Sequence, residues 1–231
     1  MRIRSRDDEA KQPVLPGETH SVTTFEHAML GMNGALAVGL HRQYRWQVVA
    51  LAGVAAVSPD WDGLTILFST SVFATAHRVW GHNVLACTLI GLAIGLLDYR
   101  FDLATRSGRL AAKLFRVQVA DEHLTIRDRF SKRGLTVWIL VAIVAAMSQL
   151  PADMVVSGTA TLPDWELKLL WPFSNRGWVF PLVPWGDVGC TLVFVAGMFA
   201  MLKWRSRVQS IAIVTLACVV LYIAVRGTLV I

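Results

Sequence analysis

The sequence predicts an all-α fold: a polytopic helical bundle embedded in a membrane, with about six membrane segments. Three observations predict it. Of 231 residues, 55% are apolar and 16% are charged, whereas a soluble domain is about a quarter charged; the mean hydropathy is +0.51. Apolar runs recur along most of the chain, parted by polar stretches. Lys and Arg gather in those stretches unevenly, the pattern of the positive-inside rule. Such a composition excludes disorder, which needs low hydrophobicity and high charge. Cys87, Cys190 and Cys218 each sit in an apolar run without zinc or redox spacing, which excludes a disulfide-stapled module. A net charge of +6 would suggest a nucleic-acid partner in a soluble protein. Here the cations lie between apolar runs and mark topology, so the partner is the lipid bilayer and no nucleic acid is expected.

The elements follow in order. Residues 1–26 are polar, with Pro13, Pro16 and Gly17, and read as a flexible leader without the apolar core of a signal peptide. Residues 27–231 form the membrane-embedded domain. Its first two segments, 27–40 and 46–57, are punctuated by Arg42 and Arg45. Each is short for a spanning helix, so they fit a tight hairpin, tilted or partly re-entrant. Pro59 and Gly63 break the pattern, and residues 64–76 suit a short interfacial helix. Residues 83–97 are the third crossing. Residues 98–133 are the most charged stretch and read as a basic, amphipathic cytoplasmic insertion. The fourth crossing, 135–150, ends at Pro151, and a connection rich in Trp and Pro runs to Gly186. Residues 188–202 and 211–225 are the last two crossings. Gly34, Gly39 and Gly53 would let the helices pack closely.

With six crossings, the first hairpin, the 98–133 insertion and the last hairpin share one side. They hold 14 of the 22 Lys and Arg residues, which makes that side cytoplasmic. Trp61, Trp80, Trp165, Trp171, Trp178 and Trp185 all fall in the opposite connections, as an aromatic belt would.

His27, Asp60, Asp62, His77, His82 and Asp153 all fall at the non-cytoplasmic helix ends. Imidazole and carboxylate are the usual ligands of zinc, manganese or iron, and such groups near a bilayer are costly unless paired or functional. His27 and Gly31 lie one turn apart on one helical face, where the glycine would let another group approach the imidazole. The two carboxylates of Asp60-Trp61-Asp62 share a side only if the backbone is extended. Gly81 suggests a fresh helix start near His82, so that His77 and His82 could converge. Arg78 is a fixed cation suited to orienting an anionic group. Any of the three aspartates could be ligand or general base. No phosphate loop, dinucleotide fingerprint, Gly-x-Ser-x-Gly elbow or HExxH is present.

These residues resemble the YdjM-type family of membrane-bound, metal-dependent hydrolases. Its pattern is an early HxxxG, a PDxD turn, an HRxxTHS run and a later aspartate before Leu-Trp-Pro. The matches are His27 to Gly31, Pro59-Asp60-Trp61-Asp62, His77-Arg78 with His82, then Asp153 and Leu170-Trp171-Pro172. Gly81 and Asn83 stand where Thr and Ser are usual, and Gln149 where many members have His. The order of His and Asp is also similar, more distantly, to the zinc-dependent phospholipase C and P1 nuclease group. The resemblance implies a bacterial inner-membrane hydrolase using a divalent ion, zinc or manganese, on a phosphoester or a lipid-linked substrate. Two alternatives stand beside it. A non-catalytic scaffold would bind a protein partner through residues 98–133; an ion transporter would continue the polar residues through the bilayer, and the near absence of them from 83–97 and 135–150 counts against it.

Overall fold

The computed structural model describes residues 24–116, 130–158 and 164–230. Most of the expected leader and the middle of the expected insertion, 117–129, lie outside them. The described residues form eight α-helices: α1 Thr24–Ala37, α2 Leu40–Val57, α3 Thr70–Ala76, α4 Val84–Phe101, α5 Leu103–Leu114, α6 Lys132–Val155, α7 Gly189–Lys203 and α8 Val208–Val230. A 3₁₀ segment, Ser58–Leu67, follows α2 without a break.

Among the described residues, three stretches are long and apolar enough to cross a membrane: Val84–Phe101, Lys132–Val155 and Arg205–Leu229. The other three expected crossings differ. Helices α1 and α7 have 14 and 15 residues, about 21 Å of rise against a hydrocarbon core of about 30 Å. Helix α2 has 18 residues, but its first half carries His41, Arg42, Gln43 and Arg45, and Arg45 breaks the helix at φ 62°.

The bundle is built on α4 packed along α6, with α2 against α6 and α1 against both α2 and α8. Gly91 and Gly95, four apart on α4, set the closest approach. A Cβ there would lie 2.6 Å from Ile143 Cα and 2.7 Å from Ile139 Cα. Small residues bring two apolar backbones into contact, which replaces the hydrophobic drive that lipid does not supply. Of the glycines expected to serve this purpose, Gly53 meets Met32, Gly39 turns the chain at φ 75°, and Gly34 faces open space. Val48, Val49, Leu51, Ala52, Ala55 and Ala56 of α2 form the core with Trp138 and Ala142 of α6.

Two features of the span helices depart from their sequence signals. Asp98, a buried acid in α4, accepts hydrogen bonds from Trp138 Nε1 at 2.7 Å and from Ala104 N at 2.6 Å. Both oxygens are satisfied, which removes the cost of burial. Helix α6 does not end at Pro151; the proline sits inside it. Its ring removes one main-chain hydrogen bond, yet the helix continues through Val155 and so carries Asp153 itself.

The connection after α6 folds over the end of the bundle where α4 begins. Leu167 and Trp178 exchange main-chain hydrogen bonds of 2.9 Å, and Leu169 O accepts from Val84 N at 3.0 Å. Leu167 is fully buried against Cys87, Ala146 and Leu150.

Candidate metal centre

Five stretches deliver the polar cluster at this end. His27 lies in the first turn of α1 and is 2% exposed. Gly31, one turn on, has no room for a side chain, since a Cβ would come 2.4 Å from Ala52 O. That contact presses α1 onto α2. The HxxxG spacing is therefore a packing device that fixes where His27 points.

Asp60 and Asp62 lie in the 3₁₀ segment, just after Pro59. The backbone is 3₁₀, not extended, so the carboxylates do not lie side by side. They take opposite nitrogens of one ring instead. Asp62 Oδ2 is 3.0 Å from His82 Nδ1, and Asp60 Oδ1 is 3.1 Å from His82 Nε2. Asp62 is wholly buried and both its oxygens are engaged: Oδ1 meets His77 Nδ1 at 2.8 Å, and Oδ2 also accepts from Gly81 N at 2.8 Å.

His77 ends α3. Its ring stacks on Phe73 at 4.7 Å and meets the edge of Trp165 at 5.2 Å. The turn from His77 to His82 is tight. A Cβ at Gly81 would stand 1.9 Å from Pro59 O, so this chain's departure from the expected Thr is required by the turn it makes. Asn83, in place of Ser, caps α4 by accepting from Ala86 N at 2.8 Å, and its amide donates to Val79 O at 2.8 Å.

Gln149 and Asp153 come from α6, one turn apart on one face because the helix runs unbroken past Pro151. Gln149 Nε2 donates to Asp60 Oδ1 and lies 3.0 Å from His82 Nε2. Asp153 Oδ1 is 3.4 Å from His27 Nε2, and its Oδ2 is 3.4 Å from His82 Nε2. Two buried oxygens here have no hydrogen-bond partner, Asp153 Oδ2 and Gln149 Oε1.

Arg78, expected to orient an anionic group, is 2% exposed. Its guanidinium reaches Asp153 Oδ1 at 3.5 Å and donates to Trp165 O at 3.1 Å, between the rings of Trp165 and Trp185. It is committed to protein partners, and its backbone adopts φ 62°, a conformation that side chains other than glycine's disfavour. Trp165 and Trp185 thus line the cluster, whereas Trp61 and Trp80 are 45% and 41% exposed.

The electrostatics follow from three carboxylates held together away from water. Burial alone would lower the basicity of His82. Hydrogen bonds to Asp60 and Asp62, with the charge of Asp153, override it and raise the ring to about 10. Burial would likewise raise Asp62, but hydrogen bonds from His77 and His82 hold it down at about 2. The cluster therefore favours positive charge at this end of the bundle.

The six expected residues, His27, Asp60, Asp62, His77, His82 and Asp153, form one connected network in the structure. Asp62, His77 and His82 each offer a ligand atom within 4.8 Å of the others, a group able to hold a metal ion. Gln149, which stands where many members of the resembled family have His, joins them. Trp165 and Trp185, expected only in an aromatic belt, carried no signal of a place beside the cluster.

No curated protein and no solved structure matches the chain. Residues 22–229, which hold the whole cluster, match the family described as YdjM inner membrane protein, and the chain belongs to that family.

Proposed function

We propose that this protein is a membrane-bound, metal-dependent hydrolase. One observation carries the reading: Asp62 holds His82 by Nδ1, and the opposite nitrogen faces Asp60, Asp153 and Gln149. A carboxylate on one imidazole nitrogen and a ligand site on the other is the usual support of a metal-binding histidine. Asp153 Oδ2, which has no hydrogen-bond partner, lies 3.4 Å from that nitrogen. Imidazole nitrogen with carboxylate oxygen is a donor set for zinc or manganese.

In this reading His27, Asp60, His82 and Asp153 hold one divalent ion. A half-turn of the Gln149 amide brings its oxygen to the same place. Asp62 is an orienting group, because both its oxygens are already occupied. This differs from the grouping by distance, in which Asp62 is itself a ligand. Its three contacts to His77, His82 and Gly81 favour the orienting role. The chemistry a bound ion supplies is Lewis acidity, which lowers the pKa of its water toward ~7. His77, anchored at Nδ1 by Asp62 and less buried than His82, completes the ligand set or carries a proton at Nε2. Arg78 positions Asp153 rather than touching substrate.

The substrate is a phosphoester or a lipid-linked compound reached from the membrane interface on the non-cytoplasmic side. The segment bearing Asp60 supports this, because Leu64, Leu67 and Phe68 along it are 62%, 79% and 83% exposed. The test is metal content and phosphoester hydrolysis of detergent-purified protein beside His82→Ala. Bound zinc or manganese and metal-dependent turnover, both lost in the variant, support the reading. A wild type that binds neither ion after incubation with it overturns the reading.

A further inference from the structure

The end of α4 remote from the cluster carries a second feature that the hydrolase reading does not use. Asp102 adopts φ 49° and turns the chain from α4 into α5. The Asp98 carboxylate accepts from Ala104 N at 2.6 Å and Asp102 O accepts from Arg106 N at 2.9 Å. Helix α5 is thus tied at its first turn to the wall of α4. Thr105, 2% exposed, marks the face turned to the protein.

The opposite face has two strips. At a spacing of seven and then four residues, Leu103, Leu110 and Leu114 fall on one line; they are 47%, 67% and 72% exposed. Beside that line, Arg106 and Lys113 are exposed. The apolar line continues along the chain from Leu96, Leu97 and Phe101, which are 41%, 48% and 47% exposed on spanning helix α4.

We infer that α5 is an interfacial anchor that binds anionic phospholipid headgroups. The leucines enter the acyl boundary, and Arg106 and Lys113 take headgroup phosphates. Two arguments select lipid over a protein partner. The apolar strip is continuous with the exposed apolar face of α4, at the end of a helix long and apolar enough to cross a membrane. The flanking cations match the negative charge of an anionic leaflet, and long basic side chains can cover apolar surface while their charges reach outward.

The test uses the full chain with Cys218→Ser, because Cys218 is the exposed cysteine, and with Leu110→Cys labelled by an environment-sensitive fluorophore. The labelled protein is reconstituted in vesicles of phosphatidylcholine, with and without phosphatidylglycerol. Nitroxide lipids should quench the probe and acrylamide should not reach it when phosphatidylglycerol is present. In Arg106→Gln/Lys113→Gln that lipid-dependent protection should weaken about fivefold for each cation removed. A probe open to acrylamide in both vesicles overturns the inference. So does a probe shielded from both quenchers, which places protein over α5. Lipid quenching that is the same with and without phosphatidylglycerol overturns headgroup recognition. None of these readings depends on metal or turnover, so failure here is distinct from failure of the hydrolase reading.

Discussion

Asp62 Oδ2 stands 3.0 Å from His82 Nδ1 inside a buried network, and that contact decides which ring nitrogen is left for a ligand. The same carboxylate meets His77 Nδ1 at 2.8 Å. One acid therefore aims two imidazoles.

Replacing Asp62 should separate orientation from ligation. Asp62→Asn keeps the shape but halves the acceptor capacity, so metal affinity is expected to fall about 10- to 100-fold. His82→Ala should abolish it. Metal titration of both variants checks the order. Equal loss in the two would make Asp62 a ligand.

Metal binding and stability should both depend on pH through His82. Its ring is raised from an ordinary 6.5 to about 10 in the metal-free protein. The stability contributed by that proton is fully present below 6.5 and is lost as pH rises through about 10. A bound ion displaces the proton, so metal affinity should increase with pH over the same window. Tm of chelator-treated protein should fall as pH rises toward 10, and metal loading should reduce that slope. A flat profile with chelator would count against the raised basicity.

Gly81 has no room for a methyl group, with Pro59 O 1.9 Å from a built Cβ. Gly81→Ala should destabilise the protein by about 1–3 kcal/mol and weaken metal binding, because Gly81 N also holds Asp62. Thermal unfolding in detergent reads the first effect and metal titration the second. An unchanged Tm would mean that the turn can open freely.

Arg78 is expected to matter through Asp153. Arg78→Ala leaves a buried carboxylate short of a cation, at a cost of about 3 kcal/mol. Arg78→Lys keeps the charge but not the planar fork between two tryptophans, so it should recover only part of that loss. Both should raise the metal concentration needed for half-occupancy. If Arg78→Lys changed only the KM for an anionic substrate, Arg78 would be a substrate contact.

Helix packing beside the centre can be tested independently of the chemistry. Gly91→Val places two methyl groups where Ile143 Cα is already 2.6 Å from a built Cβ. It should separate α4 from α6 and so pull His82 away from Gln149 and Asp153. The expected result is loss of metal binding with all six cluster residues intact.

The helical class, the span helices α4, α6 and α8, and the identity of the polar cluster were legible in the sequence. These depend on composition and on patterns repeating within a turn or two, which a linear reading captures. The passage of α6 through Pro151 was not, because a stop signal worth a few kcal/mol is outweighed by packing against α4. Nor were the partners within the cluster. Arg78 and Asp153 are 75 residues apart and Gln149 and Asp60 are 89 apart, so their meeting depends on how α4, α6 and the 3₁₀ segment dock. Residue types and order along the chain nominated the candidates. Only the tertiary structure decided that Asp60 and Asp62 grip opposite sides of His82 and that Arg78 faces inward, because such contacts arise from helix packing and leave no local periodic trace.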